Sequence, residues 1–201
     1  SETALADLPH MAERAVRLCG QLARTLACVH ADHVVHGDVK PANVLVGPAD
    51  LVTLTDFGTA SPSRTRHRDL AHGTPPYLSP EQVRGRPLTP ATDVYAAGLV
   101  LLECLTGVRA FPGPPASAAR ARLEGGPLVP GYVAGDLAAL VRRMTSLDPA
   151  ERPTAQQVAE ELERRTTART TVLPAVVAAG PPTQRVPTEG QGWWLAVGGL
   201  L

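Results

Sequence analysis

Apolar residues recur at helical spacing near the start of the chain. Between residues 11 and 30, arginine and glutamine separate a stripe of Ala15, Leu18, Leu22, Leu26 and Val29. This spacing predicts a helix with one buried face. Residues 91–106 are apolar on nearly every face, which is typical of a helix at the centre of a domain. Thr89 and Pro90 supply its start signals, and Gly107 marks its end.

Two short β-type runs stand between these helices. Residues 44–46 and 51–54 are mostly branched and apolar, and Gly-Pro-Ala-Asp at 47–50 separates them, so we predict a hairpin. A short helix is predicted over 116–124, and Asp136 is expected to cap the next one, which ends at Met144.

A last helix is predicted to follow the capping box of Thr154 and Gln157 and to end near Arg165. From residue 166 the helical pattern stops, and threonine, proline and glycine over 166–192 predict a linker. Residues 193–201 are apolar and begin with two tryptophans, but a membrane span needs about 20 residues. Tryptophan at such an edge suits a membrane interface, so we expect the start of a cut transmembrane helix. The first nine residues lack the order of a signal peptide.

Composition limits the function classes. The chain has 201 residues, of which 44% are hydrophobic, and this suits one domain with a tail. Its 19 basic and 19 acidic side chains balance, so the charge favours no nucleic-acid partner. Its three cysteines form no CxxC pair, and its six histidines have no metal-binding spacing. A disulfide framework and a zinc site are therefore not expected, and the cysteines suit a reducing compartment.

Lys40 is the one lysine of the chain, and it lies in the loop His-Gly-Asp-Val-Lys-Pro-Ala-Asn at 36–43. We attribute the scarcity of lysine to codon bias, because arginine and alanine are abundant. The position of Lys40 is the informative feature. Asp38, Lys40 and Asn43 together are what a phosphoryl-transfer site needs on one loop.

Further motifs follow this loop in order. They are Asp56-Phe57-Gly58, the segment Gly-Thr-Pro-Pro-Tyr-Leu-Ser-Pro-Glu at 73–81, Asp93 with Gly98, and Arg152. Over about residues 1–165, the chain resembles the large C-terminal lobe of the eukaryotic-like serine/threonine protein kinases of bacteria. The resemblance implies a mainly helical (α+β) fold of the protein-kinase type, with a short hairpin beside the catalytic loop. It also implies a cytoplasmic kinase domain, tethered to the cell membrane where a C-terminal span follows.

By the same resemblance, three residues have catalytic roles. Asp38 accepts the proton of the attacking hydroxyl, and Lys40 neutralises charge on the γ-phosphate. Thr74 contacts both of them and marks the choice of serine or threonine as substrate. The implied reaction transfers the γ-phosphate of ATP to serine or threonine hydroxyls of protein substrates.

The resemblance also implies ATP and Mg²⁺ (or Mn²⁺) as cofactors. Asn43 and Asp56 offer the oxygen ligands that such a metal prefers. Besides these two residues and Lys40, the nucleotide is expected to contact Leu45 and Thr55. The hairpin between Asn43 and Asp56 is expected to bring the two metal ligands together.

Other motif residues are expected to have structural roles. In the family, the histidine at position 36 packs against the phenylalanine at 57, and the aspartate at 93 accepts backbone hydrogen bonds from the catalytic loop. Glu81 and Arg152 resemble a buried ion pair that fixes the end of the activation segment.

The sequence departs from the family in two places. Gly37 stands where most relatives carry an arginine that binds a phosphorylated activation loop, so we expect that phosphorylation of Thr59, Ser61, Ser63 or Thr65 is not an obligatory switch. The 35 residues before the catalytic loop contain no Gly-rich loop and no lysine. We therefore expect a chain truncated before its small lobe, with weak affinity for Mg·ATP and no activity on its own.

Two alternatives stay open at this point. Small-molecule phosphotransferases of the aminoglycoside and choline type also carry His-Gly-Asp with a following Asn, and Gly37 suits them. Lys40 and the segment 73–81 argue against them. The other alternative is a kinase-like scaffold without catalysis, against which the intact Asp38, Asn43 and Asp56 argue.

Overall fold

The fold was analysed in a computed structural model of the chain, which describes residues 8–57 and 76–170. Its regular elements are α1 (Leu8–Ala31), β1 (Val44–Val46), β2 (Val52–Leu54), α2 (Pro80–Val83), α3 (Pro90–Thr106), α4 (Pro115–Glu124), α5 (Gly135–Met144) and α6 (Ala155–Thr170). Single 3₁₀ turns span Pro41–Asn43, Pro48–Asp50 and Pro149–Glu151. The prediction of a mainly helical fold with one short hairpin is confirmed.

The central helix is α3. Every residue from Thr92 to Leu102 is buried. Helix α1 packs on α3 and α6, and α5 and α6 also contact α3. The core is rich in leucine and valine, as in Leu26, Leu101 and Leu140, each at 0% exposure. A helix that is apolar on every face needs neighbours on every side, which explains why α3 is surrounded.

The ends of α3 follow the signals in the sequence. Before the helix, Thr89 and Thr92 form a reciprocal capping box, and Pro90 is its first residue. After the helix, Gly107 has φ 72°, the left-handed conformation that glycine adopts without steric cost. Both predicted boundaries are correct to within one residue.

Two predicted boundaries are wrong. Asp136 does not cap α5: the N-cap is Ala134, and the Asp136 carboxylate lies inside the first turn, where Oδ1 accepts from the Leu137 amide at 2.9 Å. Helix α6 continues to Thr170, five residues past the predicted end. The hydroxyl of Thr166 donates to the Leu162 carbonyl at 3.2 Å, so this threonine is satisfied without ending the helix.

The hairpin pairs β1 and β2 antiparallel, with Val44 opposite Leu54 and Val46 opposite Val52. At its tip, Asp50 has φ 59°, and its carboxylate accepts from the Arg14 guanidinium of α1 at 3.0 Å. Gln21 of α1 also donates to the Asp50 carbonyl at 2.9 Å. The tip is therefore fixed to α1 by polar contacts, and the open end of the hairpin faces the loop at 36–43.

The described helices include none that is long and apolar enough to cross a membrane. The predicted linker lies outside the described residues from 171 onward, as does the apolar segment 193–201.

Candidate active site

The loop between α1 and β1 is held by one buried carboxylate. Asp93, in the first turn of α3, is 1% exposed. Its Oδ2 accepts from the His36 amide at 2.9 Å, and its Oδ1 accepts from the Gly37 amide at 2.7 Å. The expectation that Asp93 accepts backbone hydrogen bonds from this loop is confirmed.

His30, at the end of α1, adds a contact that the sequence did not indicate. Its Nε2 lies 2.8 Å from Asp93 Oδ2. The Asp93 carboxylate thus links the end of α1, the start of α3 and the loop between them. Each of these contacts joins residues more than 50 positions apart.

The three charged and amide side chains of the loop converge. Lys40 Nζ lies 2.6 Å from Asp38 Oδ2, and Asn43 Nδ2 donates to the same oxygen at 3.1 Å. Asn43 Nδ2 also donates to the Asp38 carbonyl at 2.8 Å. Because these donors occupy Oδ2, the carboxylate of Asp38 has a fixed orientation. Its side chain remains 26% exposed, so a substrate hydroxyl can reach it.

The open end of the hairpin brings Asn43 beside Thr55 and Asp56. The Thr55 amide donates to the Asn43 carbonyl at 2.9 Å, and its hydroxyl donates to the same oxygen at 3.3 Å. Asp56 follows with φ 63° and an exposed side chain. Leu45 is 54% exposed on β1. Of the expected nucleotide-contacting residues, Asn43, Thr55 and Asp56 therefore lie at the open end of the hairpin, and Leu45 lies in the middle of β1.

This set of oxygens suits a hard divalent cation. Because Asn43 donates through Nδ2, its Oδ1 is the atom available to a metal, and Asp56 offers a carboxylate. Mg²⁺ is usually held by one or two protein carboxylates together with waters and phosphate oxygens, so two protein ligands are sufficient. Within residues 8–57 and 76–170, no group of three His, Cys, Asp or Glu side chains forms a separate metal cluster.

His36 is a structural residue of this site. It is fully buried, and its ring meets Phe57 edge-on, with centroids 4.7 Å apart. Its Nδ1 accepts from the Asp38 amide at 3.2 Å, so Nε2 carries the proton and donates to the Thr55 carbonyl at 2.9 Å. The expected packing of His36 on Phe57 is confirmed, and His36 further connects the loop to the hairpin.

Helix α2 lies against the loop. Ser79 caps this helix in a reciprocal capping box with Gln82. The Gln82 Nε2 also donates to the Gly37 carbonyl at 2.8 Å, a contact that no local pattern indicated. Gly37 has φ 75°, in the left-handed region that favours glycine over the arginine found in most of the family.

The expected ion pair between Glu81 and Arg152 is confirmed. Arg152 Nη1 and Nη2 donate to the two oxygens of Glu81 at 2.7 and 2.9 Å, and the Arg152 side chain is fully buried. Burial raises the pKa of Glu81, but the hydrogen bond and charge of Arg152, together with hydrogen bonds from the Glu81 backbone and Ser79, outweigh it and hold this pKa below its ordinary value. Arg152 also stacks over the Tyr95 ring at 4.8 Å.

The segment before α2 is held by α3 and α4. The Tyr77 hydroxyl donates to Glu103 at 2.5 Å, and burial together with this carboxylate raises the pKa of Tyr77. The fully buried Arg122 of α4 donates through Nη2 to the Pro76 carbonyl at 2.5 Å. Burial lowers the pKa of Arg122. The sequence alone indicates a role for neither Glu103 nor Arg122, because the residues they contact are distant along the chain.

Thr74, the third predicted catalytic residue, lies outside the described residues, as do the four activation-segment hydroxyls named above. Of the other site residues, the structure brings Asp38, Lys40 and Asn43 into direct contact.

Comparison with known proteins identifies the family. A profile of the protein kinase domain matches residues 6–162. The chain belongs to the protein kinase family. It is 42% identical over 156 residues to serine/threonine-protein kinase PkaA of Streptomyces coelicolor, a match that covers 74% of this chain and 28% of the relative.

Other kinases are similar over comparable lengths. Serine/threonine-protein kinase PknB of Mycobacterium tuberculosis is 33% identical over 167 residues, covering 78% of this chain and 27% of the relative. The Aurora kinase of Yarrowia lipolytica is 34% identical over 134 residues, covering 66% of this chain and 36% of the relative. The kinase chain thus spans between 27% and 36% of the length of these three curated relatives.

Proposed function

We propose that this protein provides the catalytic loop at 36–43 and the peptide-substrate segment at 73–81 of a serine/threonine protein kinase, which transfers the γ-phosphate of ATP to protein hydroxyls. The observation that carries the proposal is the convergence of Lys40 Nζ and Asn43 Nδ2 on Asp38 Oδ2. We assign residues 1–165 to the large C-terminal lobe of the kinase fold.

Each side chain of the loop has a role that follows from its contacts. Asp38 is oriented by its two donors and presents a carboxylate that accepts the proton of a serine or threonine hydroxyl. Lys40 is 34% exposed and can turn from Asp38 towards an incoming phosphate. Thr74 is assigned to contact both residues.

Nucleotide and metal are assigned to the open end of the hairpin. Asn43 Oδ1 and the Asp56 carboxylate would hold Mg²⁺ (or Mn²⁺), and Leu45 and Thr55 would lie beside the nucleotide. When bound, the metal supplies positive charge that neutralises the phosphate oxygens. The bonds from Asn43 Nδ2 to Asp38 support this assignment, because they join the assigned proton acceptor to one of the two assigned metal ligands.

Serine or threonine as the target is supported by two observations. Lys40 stands two residues after Asp38, and PkaA and PknB are serine/threonine-protein kinases by name. The protein-kinase family match supports a protein substrate over a small molecule such as an aminoglycoside.

Phosphorylation assays test the proposal on the full polypeptide encoded by the reading frame that contains these 201 residues. With Mg·ATP and a basic protein substrate, we expect phosphoserine and phosphothreonine but no phosphotyrosine. The isosteric Asp38→Asn variant should lower kcat by about 10²- to 10⁴-fold, because it removes the proton acceptor. Transfer that is unchanged in this variant would contradict the proposal, and transfer to an aminoglycoside alone would favour the small-molecule alternative.

Nucleotide affinity provides a second test. Lys40 is the one lysine among the 201 residues, so no second lysine is present to anchor the α- and β-phosphates. Isothermal titration of the 201-residue chain with Mg·ATP should therefore give a Kd weaker than about 1 mM. A micromolar Kd would show that the nucleotide is held by other means.

Because α6 continues to Thr170, we assign residues 171–192, in place of 166–192, to a linker. We assign residues 193–201 to the start of a membrane-anchoring segment, with the kinase domain in the cytoplasm. The supporting observation is the tryptophan pair at 193 and 194 followed by apolar residues. Fractionation of cells that express the full polypeptide tests this assignment, and recovery entirely in the soluble fraction would contradict it.

A further inference from the structure

Two helices of this protein begin with the same capping motif. Ser79 and Gln82 form the box of α2: the Gln82 amide donates to Ser79 Oγ at 3.3 Å, and Gln82 Oε1 accepts from the Ser79 amide at 2.9 Å. Thr154 and Gln157 form the box of α6, with corresponding distances of 3.2 and 2.8 Å. In both boxes, the glutamine needs only its oxygen to complete the cap.

The two glutamines differ in their remaining amide group. Gln82 Nε2 donates to the Gly37 carbonyl of the catalytic loop at 2.8 Å. Gln157 is exposed, and within the described part of the chain it makes no hydrogen bond to that loop. Gln82 therefore has a contact that capping does not require.

The Gly37 carbonyl belongs to the peptide unit that leads into Asp38. On the other side of this unit, the Asp38 amide donates to His36 Nδ1 at 3.2 Å. Side chains thus hold both the carbonyl and the amide of the same peptide plane. Because this plane sets the direction in which the Asp38 side chain leaves the backbone, its orientation determines where the carboxylate lies.

Gly37 is the flexible residue next to this unit. Gly37 has φ 75° and no side chain, so it can rotate more freely than any other residue type at this position. Its own amide is held by Asp93 Oδ1 at 2.7 Å, but that bond lies on the preceding peptide plane. Gln82 therefore restrains the carbonyl of the next peptide plane, which joins Gly37 to Asp38.

We propose that Gln82 is a positioning residue for Asp38. Through the Gly37 carbonyl, it aligns the proton acceptor from α2, the helix in which the peptide-substrate segment at 73–81 ends. This inference rests on the proposed function of Asp38. It also connects α2 mechanically to the catalytic loop, so displacement of α2 would turn the Asp38 carboxylate.

The matched substitutions Gln82→Glu and Gln157→Glu test the inference in the full polypeptide. Glutamate preserves the acceptor oxygen of a capping box, so both helices keep their caps. Only Gln82→Glu removes a donor to the catalytic loop, and it places a carboxylate against the Gly37 carbonyl. We expect kcat to fall by about 10- to 100-fold in this variant, with KM for ATP unchanged, and no change in Gln157→Glu.

A neutral pair, Gln82→Met and Gln157→Met, separates positioning from the added charge. Both lose the capping oxygen and neither adds a charge, so a loss of kcat confined to Gln82→Met would show that the effect of Gln82→Glu does not come from its added carboxylate. Equal effects in the two methionine variants would overturn the inference. So would a Gln82→Glu enzyme with wild-type kcat.

Amide hydrogen exchange gives a readout that does not depend on catalysis. In Gln82→Glu, exchange over residues 36–43 should accelerate by about 3- to 10-fold, whereas Gln157→Glu should leave it unchanged. Unaltered exchange would overturn the positioning role whether or not the enzyme is active. Accelerated exchange in a polypeptide that transfers no phosphate would instead refute the proposed function and leave the contact established.

Discussion

Two regions of this kinase are held by arginine–carboxylate pairs of similar length but different exposure. In the interior, Arg152 Nη1 lies 2.7 Å from Oε1 of Glu81 in α2, and the two side chains are 0% and 6% exposed. At the hairpin tip, Arg14 and Asp50 meet at 2.9 Å, with side chains 57% and 27% exposed. The interatomic distances alone would suggest that the two ion pairs contribute equally to stability.

The difference teaches that solvent, more than distance, decides what such a pair contributes. Water and salt screen the pair at the hairpin tip, and exposed pairs usually contribute little. Removing one partner of the buried pair would leave a charge in the interior without its counterion. The interior pair should therefore respond strongly to mutation, and the pair at the tip weakly.

The largest contrast is expected between Arg152→Ala and Arg14→Ala in the 201-residue chain. Arg152→Ala strands the Glu81 carboxylate and should lower the free energy of unfolding by about 3–5 kcal/mol, whereas Arg14→Ala should have little effect. Urea denaturation measures both. Comparable losses of unfolding free energy in the two variants would contradict the idea that burial separates the two ion pairs.

A second contrast concerns packing instead of charge. A Cβ added at Gly98 in α3 would lie 2.9 Å from both Met144 Cβ and Thr145 Cγ2, whereas one at Gly47 in the hairpin would meet the Leu51 carbonyl at 3.6 Å. Gly98→Ala should therefore cost about 1–3 kcal/mol through overpacking. Gly47→Ala should be tolerated. A lower melting temperature for Gly47→Ala than for Gly98→Ala would contradict this ranking.

Acid should weaken the buried pair. Because the folded state holds the pKa of Glu81 below its ordinary value of 4.5, the pair contributes fully above that pH and is lost as the pH falls through the lowered value. The stability of wild type should decline over this range, and Glu81→Gln should decline less steeply. Denaturation at a series of pH values, with equal slopes for both proteins, would rule out this contribution.

The smallest expected effect concerns salt. Arg14 and Arg17 hold the pKa of Asp50 below its ordinary value, but Asp50 lies at the surface. Any stability lost in Asp50→Asn should disappear in about 1 M NaCl, where the screening length is about 3 Å. The loss in Glu81→Gln should persist under the same conditions. A salt-independent loss in Asp50→Asn would mean that the hydrogen bonds accepted by its two carboxylate oxygens, and not its net charge, matter.

Local patterns predicted the elements whose causes are local. Helix α3 has a cap, a first-turn proline and a terminal glycine in the sequence, and the hairpin has a turn between branched runs. The resemblance to the family likewise predicted the ion pair of Glu81 with Arg152. The loop motif predicted that Asp38 and Asn43 share one loop, and the structure adds the hydrogen bond between them.

The sequence did not predict features that depend on distant partners. Asp136 looks like a cap, yet α5 begins one residue before it, and its carboxylate pairs with Arg165 of α6 at 2.7 Å. His30 contacts Asp93 of α3 across 63 residues, and Gln82 contacts Gly37 of the loop at 36–43 across 45 residues. Spacing cannot reveal such contacts, because they depend on how α1, α2 and α3 pack together.

The position of Asp93 has a consequence for how the chain acquires its site. This carboxylate holds the loop at 36–37, yet it is synthesised more than 50 residues later and reaches the loop only when α3 docks on α1. Contacts of such long sequence separation form late in folding, since the closure of a large loop must precede them. A chain in which α3 has not docked lacks the two Asp93 hydrogen bonds to this loop. If Asp38 has the proposed role, assembly of the helical core precedes the ordering of its proton acceptor.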